Sequence, residues 1–200
     1  AGADDYMIKP ANLLELKVCL QNGKRIISLE DNRIKLASYD NLTKLWYQHK
    51  IFEFLEEELD RNTRENLPTS TIMVDIDHFK KINDTHGHFV GDKVLCDVAS
   101  CLQNAIRRYD KIGRYGGDEI LIVLPNCCQN DISHIGRRLR QAICNENVES
   151  ESGFLAVSIS LGGASSEFFP KTTADKLVQA SDKDLLTAKE QGRNRFAIAE

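Results

Sequence analysis

At 200 residues the chain has room for one ordinary domain, or one domain with a substantial appendage. Hydrophobic residues make up 42% and charged residues 28%, near soluble-globular averages, which excludes disordered and fibrous architectures. Lys and Arg number 26 against 30 Asp and Glu, a net charge of −4 that argues against a general nucleic-acid binder, so any nucleotide must be met by a local site.

The start, AGADDYMIKP, lacks the basic region and following apolar stretch of a signal peptide. No apolar run approaches the ~20 residues that cross a bilayer. The expectation is a chain with no membrane partner. Six cysteines (Cys19, Cys96, Cys101, Cys127, Cys128 and Cys144) show no CxxC spacing. Most fall in apolar helical or strand patterns, where Cys serves as a small hydrophobe, so a cytoplasmic, reducing compartment is expected.

In chain order, Tyr6-Met7-Ile8 is a short strand pattern stopped by Lys9-Pro10, and a helical stretch opens at Asn12. Leu13, Leu20, Ile27 and Ile34 recur at seven-residue spacing, one seam of a two-chain coiled coil. The second seam is poor, and Asn22-Gly23 offers a break, which leaves two short helices as the alternative. From Asp40 the pattern becomes that of a compact domain. Leu45, Phe52, Leu55 and Leu59 share a helical face, and the polar Arg61–Ser70 stretch reads as a loop. Thr71-Ile72-Met73-Val74 is a buried strand, followed by a helical turn at Phe79–Ile82 and a long amphipathic helix through Val90, Val94, Val98, Leu102 and Ile106. Lys111–Tyr115 and Ile120–Leu124 flank Gly116-Gly117-Asp118, a hairpin signal. Ile132, Ile135, Leu139 and Ile143 mark another helix. Phe154–Leu161 reads as one strand, Ala174–Gln191 as the last helix and Arg195–Ile198 as a closing strand. The whole predicts an α+β sheet with flanking helices.

The acidic residues carry the chemistry. Asp75 ends an otherwise apolar strand, where a carboxylate is costly unless compensated. Asp118 and Glu119 follow two glycines at a hairpin tip. If those strands are neighbours, the three carboxylates converge at one sheet end, a donor set suited to Mg²⁺ bridging protein and phosphate. A strand-end Asp can equally be a turn former. Gly116 and Gly117, lacking Cβ atoms, let backbone N–H groups approach a phosphate.

The string Arg114-Tyr115-Gly116-Gly117-Asp118-Glu119-Ile120 resembles the signature of GGDEF-domain diguanylate cyclases, with Ile120 where Phe is usual. Asp40-Asn41-Leu42-Thr43 resembles the family's DxLT motif, and Asp75-Ile76-Asp77-His78-Phe79-Lys80 its DxDxFK. Phe79–Asp84 resembles FKxIND, and Gly87-His88 with Gly91-Asp92 resembles GHxxGD. Ser158–Gly162, Ala188-Lys189 and Gly192–Arg195 complete the series. Gly2–Tyr6 and Lys9-Pro10 resemble the last strand and Lys-Pro turn of a response-regulator receiver domain. The expected organisation is a receiver remnant over 1–22, a helical stalk over 23–38 and a GGDEF domain over 39–200. On that reading the chain is truncated, with the phosphoacceptor Asp upstream.

The resemblance implies a palm-like fold with a mainly antiparallel sheet, and condensation of two GTP into cyclic di-GMP with release of two pyrophosphates. It implies two Mg²⁺ per site, or Mn²⁺ instead, held by Asp75, the Ile76 carbonyl, Asp118 and Glu119. Asp118 is also the candidate for removing the 3′-OH proton. Asn83 and Asp92 match positions that read the guanine edge, an amide and a carboxylate facing one acceptor and two donors; each can also cap a helix. Phe79, Lys80, Lys189 and Arg193, with Gly116 and Gly117, match triphosphate contacts. Arg107 and Asp110, the latter six residues before Gly116, resemble the RxxD product-inhibition site. A homodimer is implied, since each 3′-OH must meet an α-phosphate bound by a facing subunit. The alternative is a silent domain that binds GTP or cyclic di-GMP without turnover. Tyr47-Gln48 and Leu186 also depart from the family pattern.

Overall fold

The computed structural model describes residues 17–25, 38–144, 147–150, 153–168 and 171–198. The chain divides into two units, Ala1–Ser38 and Tyr39–Glu200. In the first, a helix, α1, occupies the described residues 17–25. It runs through Gly23, so the break that Asn22-Gly23 offered as the alternative does not occur there; one interior glycine costs about 1 kcal/mol against alanine, too little to stop a helix. Val18 and Leu20 are exposed on α1. Leu13, Ile27 and Ile34 of the seam, and the receiver-like Gly2–Pro10, lie outside the described residues.

The second unit is built on a six-stranded sheet. In chain order it contains β1 (Trp46–Tyr47), α2 (Gln48–Glu65), β2 (Ser70–Ile76), α3 (Phe79–His86), α4 (His88–Ala105), β3 (Lys111–Gly116), β4 (Glu119–Leu124) and α5 (Gln129–Cys144). The small hairpin β5 (Asn147–Ser150) and β6 (Gly153–Ala156) follows, then β7 (Ile159–Ser165), a 3₁₀ turn at Ser166–Phe168, α6 (Ala174–Glu190) and β8 (Phe196–Ile198). The sheet order is β1-β3-β4-β2-β7-β8. The central pairs β3/β4, β4/β2 and β2/β7 are antiparallel, and the edge pairs β1/β3 and β7/β8 are parallel. The expected α+β class with a mainly antiparallel centre is what the chain adopts.

Side chains alternate along a strand, so each central strand serves two cores. Ile72, Val74 and Ile76 of β2 and Ile120, Ile122 and Leu124 of β4 pack with α4 and α5. Met73 of β2 and Leu121 and Val123 of β4 pack with α2 and α6. A sheet covered on both faces explains why both strands read as nearly continuous apolar runs.

Three local expectations need correction. The helix α2 runs on to Glu65 and stops at Asn66, which takes a left-handed φ of 56° and donates its N–H to Asn62 O. A solvent-facing helical turn has the composition of a loop, which is why Arg61–Glu65 read as one. The single strand expected over Phe154–Leu161 is two, because β6 pairs with β5 in the separate hairpin and β7 pairs with β2 in the main sheet, with Val157-Ser158 between them. β1 was not expected at all: two residues carry no period, and its pairing with β3 is a long-range event.

Candidate active site

Register and parity place the key carboxylates. Asp75 is the direct partner of Glu119 across β2/β4, as Met73 is of Leu121. All four share the sheet face covered by α2 and α6, so the two carboxylates stand side by side at that face's open end. From α6, the Lys189 ammonium reaches Asp75 Oδ2 at 2.7 Å, with only 13% of the Asp75 side chain exposed. Burial pushes the Asp75 carboxyl above its ordinary range; Lys189 opposes that, and Asp118 and Asp77 add to it. Glu119 is likewise raised, first by burial, then by Asp75, with Lys189 opposing and Asp182 and Asp118 adding.

The third carboxylate does not join them. Among the described residues no three His, Cys, Asp or Glu side chains gather around one point. Asp118 lies past the end of the ladder, in the turn after Gly117, where the β3/β4 register shifts between Arg114 and Gly116. Its charge is felt by both neighbours, but the expected convergence of three is a pair with a third close by. Ile76 ends β2 opposite Ile159, and its side chain belongs to the other core. Ile120, the departure from the usual signature, is fully buried there too and presents no group to the site.

The signature turn is open above its glycines. Gly117 has φ 46°, and a Cβ there would meet nothing within 4 Å. Arg114 holds the turn from below, donating from Nε to Gly117 O at 2.9 Å and from Nη1 to Asp40 at 3.1 Å. The buried Asp40 also accepts from Thr43 N–H and Oγ1, so the DxLT turn braces the signature through one guanidinium. At the end of β2, His78 turns the chain at φ 59° into α3 without a side-chain cap. The N–H groups of Phe79, Lys80 and Lys81 precede the first helical bond, from Ile82 N–H to His78 O. Such free donors at a helix start favour an anion. Phe79 packs partly on the core, while Lys80 is exposed. Arg193 is exposed in the turn after α6, with φ 61°.

Asn83 comes from α3 and Asp92 from α4, and Asn83 lies against Gly91, the residue before Asp92. A Cβ at Gly91 would overlap the Asn83 side chain, so the glycine beside Asp92 is what lets Asn83 nest against α4. Asp92 is exposed on the first turns of α4. Paired strand-end carboxylates, a lysine from α6 and the glycine turn between β3 and β4 thus meet at one end of the sheet.

A family model described as the GGDEF domain of diguanylate cyclases matches residues 37–195. The chain belongs to the GGDEF diguanylate cyclase family. It is 32% identical over 169 residues to diguanylate cyclase A of Treponema denticola, covering 83% of this chain and 45% of that one. Among solved structures, the Pseudomonas aeruginosa diguanylate cyclase SiaD, in complex with its activator SiaC, is 31% identical with a TM-score of 0.78, covering 94% of this chain and 73% of that chain. The GGDEF domain of Caulobacter crescentus DgcB in complex with c-di-GMP is 26% identical with a TM-score of 0.77, covering 81% and 95%. The chain spans between 34% and 53% of the length of curated relatives it matches.

The RxxD segment of this GGDEF domain lies at the start of β3, about 17 Å along the strand from the signature turn. Arg107 is exposed and its Nη1 donates to Tyr109 Oη at 2.9 Å. Asp110 is buried, accepts from Arg107 N–H at 2.8 Å and is raised by that burial. Its carboxylate therefore holds the turn, while the arginine faces outward. Arg138 of α5 donates to Ala105 O and bears electrostatically on Asp110; no sequence motif marked it. Sequence reasoning also gave no role to Asp77, which is buried behind Asp75 and accepts from Ser158, Ser160 and Asn194. Its signal was a second carboxylate in DxDxFK, read only as part of the motif. His78, His86 and His88 form no metal-holding group.

Proposed function

We propose that this domain is an active diguanylate cyclase that condenses two GTP into cyclic di-GMP and two pyrophosphates. The observation that carries the reading is the Asp75–Glu119 pair, register partners at the sheet end, with a lysine ammonium against Asp75. Two neighbouring carboxylates that hold protons more tightly than usual, with an ammonium as stand-in cation, are a donor set that fits divalent metal. Asp75, the Ile76 carbonyl, Asp118 and Glu119 would hold two Mg²⁺, with Mn²⁺ as the alternative. When bound, the metals lower the pKa of the attacking 3′-hydroxyl and offset charge on the phosphoryl oxygens.

The chain's own residues do the rest. Lys189 is already at the carboxylates and exchanges Asp75 for a phosphate oxygen. Arg193, Lys80 and the N–H groups of Phe79 and Lys80 grip the remaining phosphates from two sides. Gly116 and Gly117 leave room for the triphosphate above the turn. Asn83 and Asp92 take the guanine edge, and Asp118 assists removal of the 3′-OH proton. One site supplies one half of a two-fold product, so two domains must face each other in a homodimer. We place the domain as the cytoplasmic output of a response regulator in two-component signalling, with α1 in the stalk that raises the effective concentration of the two halves.

The test is incubation of the chain with GTP and Mg²⁺, chromatography for cyclic di-GMP, and a dilution series. Product is expected, with specific activity that rises with protein concentration. GTP binding without product at any concentration overturns the reading in favour of a receptor.

Asp92→Ser is expected to relax the choice of base, because guanine's N–H donors lose their carboxylate. The residue is exposed, so the fold stays intact. Competition between GTP and ATP checks this, and unchanged discrimination removes Asp92 from the role. Arg107→Ala is expected to leave the initial rate within about twofold while product accumulates further, because only a surface contact to Tyr109 is lost. Progress curves with added cyclic di-GMP decide it, and an unchanged plateau defeats the inhibitory assignment.

A further inference from the structure

Asp77 is 4% exposed, and the chemistry proposed above gives it no task. Its Oδ1 accepts from Ser160 Oγ at 2.6 Å, and its Oδ2 accepts from Ser158 Oγ at 2.7 Å and from Asn194 N–H at 2.9 Å. Its own N–H donates to Ser158 O, which fixes the end of β2 on the approach to β7. Three donors on a buried carboxylate make a rigid anchor, since bonds to an ionised acceptor are roughly twice as strong as neutral ones.

The bond to Asn194 is the unusual one, because it crosses from the end of β2 to the turn after α6. That turn holds Arg193 and Asn194 in succession at φ 61° and 46°, both left-handed and neither glycine. Asparagine tolerates that region well, but a left-handed arginine costs about 1 kcal/mol or more and persists only where surroundings impose it. Arg193 N–H donates to Ala188 O at 3.0 Å, which ties the turn to α6; Asn194 N–H donates to Asp77, which ties it to the sheet. Arg140 Nη1 and Cys144 Sγ also reach Asn194 Oδ1, but from the exposed side. The turn is thus held by α6, by Leu161 N–H on Arg195 O where the chain enters β8, and by Asp77, which is the tie from β2 at the residue next to Arg193.

We propose that Asp77 is a positioning residue: it fixes the 192–194 turn so that Arg193 meets the phosphates beyond the α-phosphate. The inference rests on the triphosphate reading of the site. It makes the second carboxylate of DxDxFK a brace for a cation, where the first faces the reacting centre.

The test is equilibrium binding of GMP and of the α,β-methylene analogue of GTP, in which the bond that would break is replaced. Asp77→Asn keeps volume and one acceptor oxygen, and thermal unfolding confirms that it folds. It is expected to weaken the triphosphate analogue about tenfold, the scale of one weakened charge-assisted bond, and GMP by less than about twofold. In an Arg193→Ala background the same change is expected to add less than about twofold, since the group it positions is gone. Equal loss for both ligands, unchanged analogue affinity with a lowered Tm, or full effect without Arg193 each overturns the proposal. If Arg193→Ala alone leaves analogue affinity intact, the phosphate reading itself fails and takes the proposal with it.

Discussion

Glu119→Gln is expected to cut cyclic di-GMP formation at least about 10²–10³-fold, the scale of losing one group that stabilises transition-state charge, while making the domain more stable at pH 7. The first effect follows from its place beside Asp75, since an amide of equal volume keeps the packing and removes a charge from the metal-holding pair. The second follows from linkage. The Glu119 carboxyl is raised above its ordinary 4.5 by burial and by Asp75, while Lys189 gives its close ion pair to Asp75 instead. A folded state that binds the proton more tightly than the unfolded chain is most favoured below the unfolded value. That contribution is lost as pH rises through the raised folded value. At pH 7 the ionised Glu119 is thus a net cost, which glutamine removes. The side chain is partly exposed, so solvent screening limits the gain to a Tm rise on the order of 1–3 °C. The gain should vanish near pH 4, where wild-type Glu119 is largely protonated. Calorimetry at both pH values, alongside the product assay, checks the pair of effects. Wild-type turnover defeats the metal assignment, and a lower Tm at pH 7 defeats the electrostatic account. Asp75→Asn should abolish turnover without the gain, because it strands Lys189.

The same residues mark how far the sequence could be read. The helices of Val94–Leu102 and Ile132–Ile143 were legible because apolar residues repeat along one covered face. The hairpin was legible because its glycines sit between apolar runs. What pattern cannot supply is register. That Asp75 meets Glu119 while Asp118 stays on the turn depends on which residues pair across β2/β4, and a one-residue slip of either strand would send its own carboxylate to the α4/α5 face. Contacts such as Lys189 to Asp75, or Asp77 to Asn194, span over 100 residues of chain and leave no local trace. The split between β6 and β7 was hidden likewise: β6 pairs with β5 and β7 with the distant β2, partners that the local pattern does not name. The motifs nominate side chains; the tertiary pairings decide which of them touch.

Gly162→Ala should be the most damaging small substitution in the sheet. Gly162 pairs with Met73 on β2 and Ala197 on β8, and by parity it faces α6. A Cβ there would overlap Leu185 N, Ser181 O and Asp184 C, all main-chain atoms of that helix. Helix backbone cannot rotate aside as a side chain can, so α6 must lift from the sheet. The cost belongs at the upper end for overpacking, about 3 kcal/mol, which is a Tm loss of about 6–12 °C in a domain of this size. Gly163→Ala is the internal control. Its Cβ would meet the ring of Phe196 and the tip of Ile132 at 2.6–3.0 Å, side-chain ends that can give. It should therefore lose less than half as much. The site feels the first change as well, because Lys189 lies one turn beyond Leu185 on α6, and lifting the helix draws its ammonium off Asp75. Below its lowered Tm, Gly162→Ala should bind the triphosphate analogue more weakly, whereas Gly163→Ala should not. Thermal unfolding of the two variants side by side decides the matter. If Gly162→Ala melts no lower than Gly163→Ala, then α6 does not rest on β7 backbone to backbone, and the placement of Lys189 loses its structural basis.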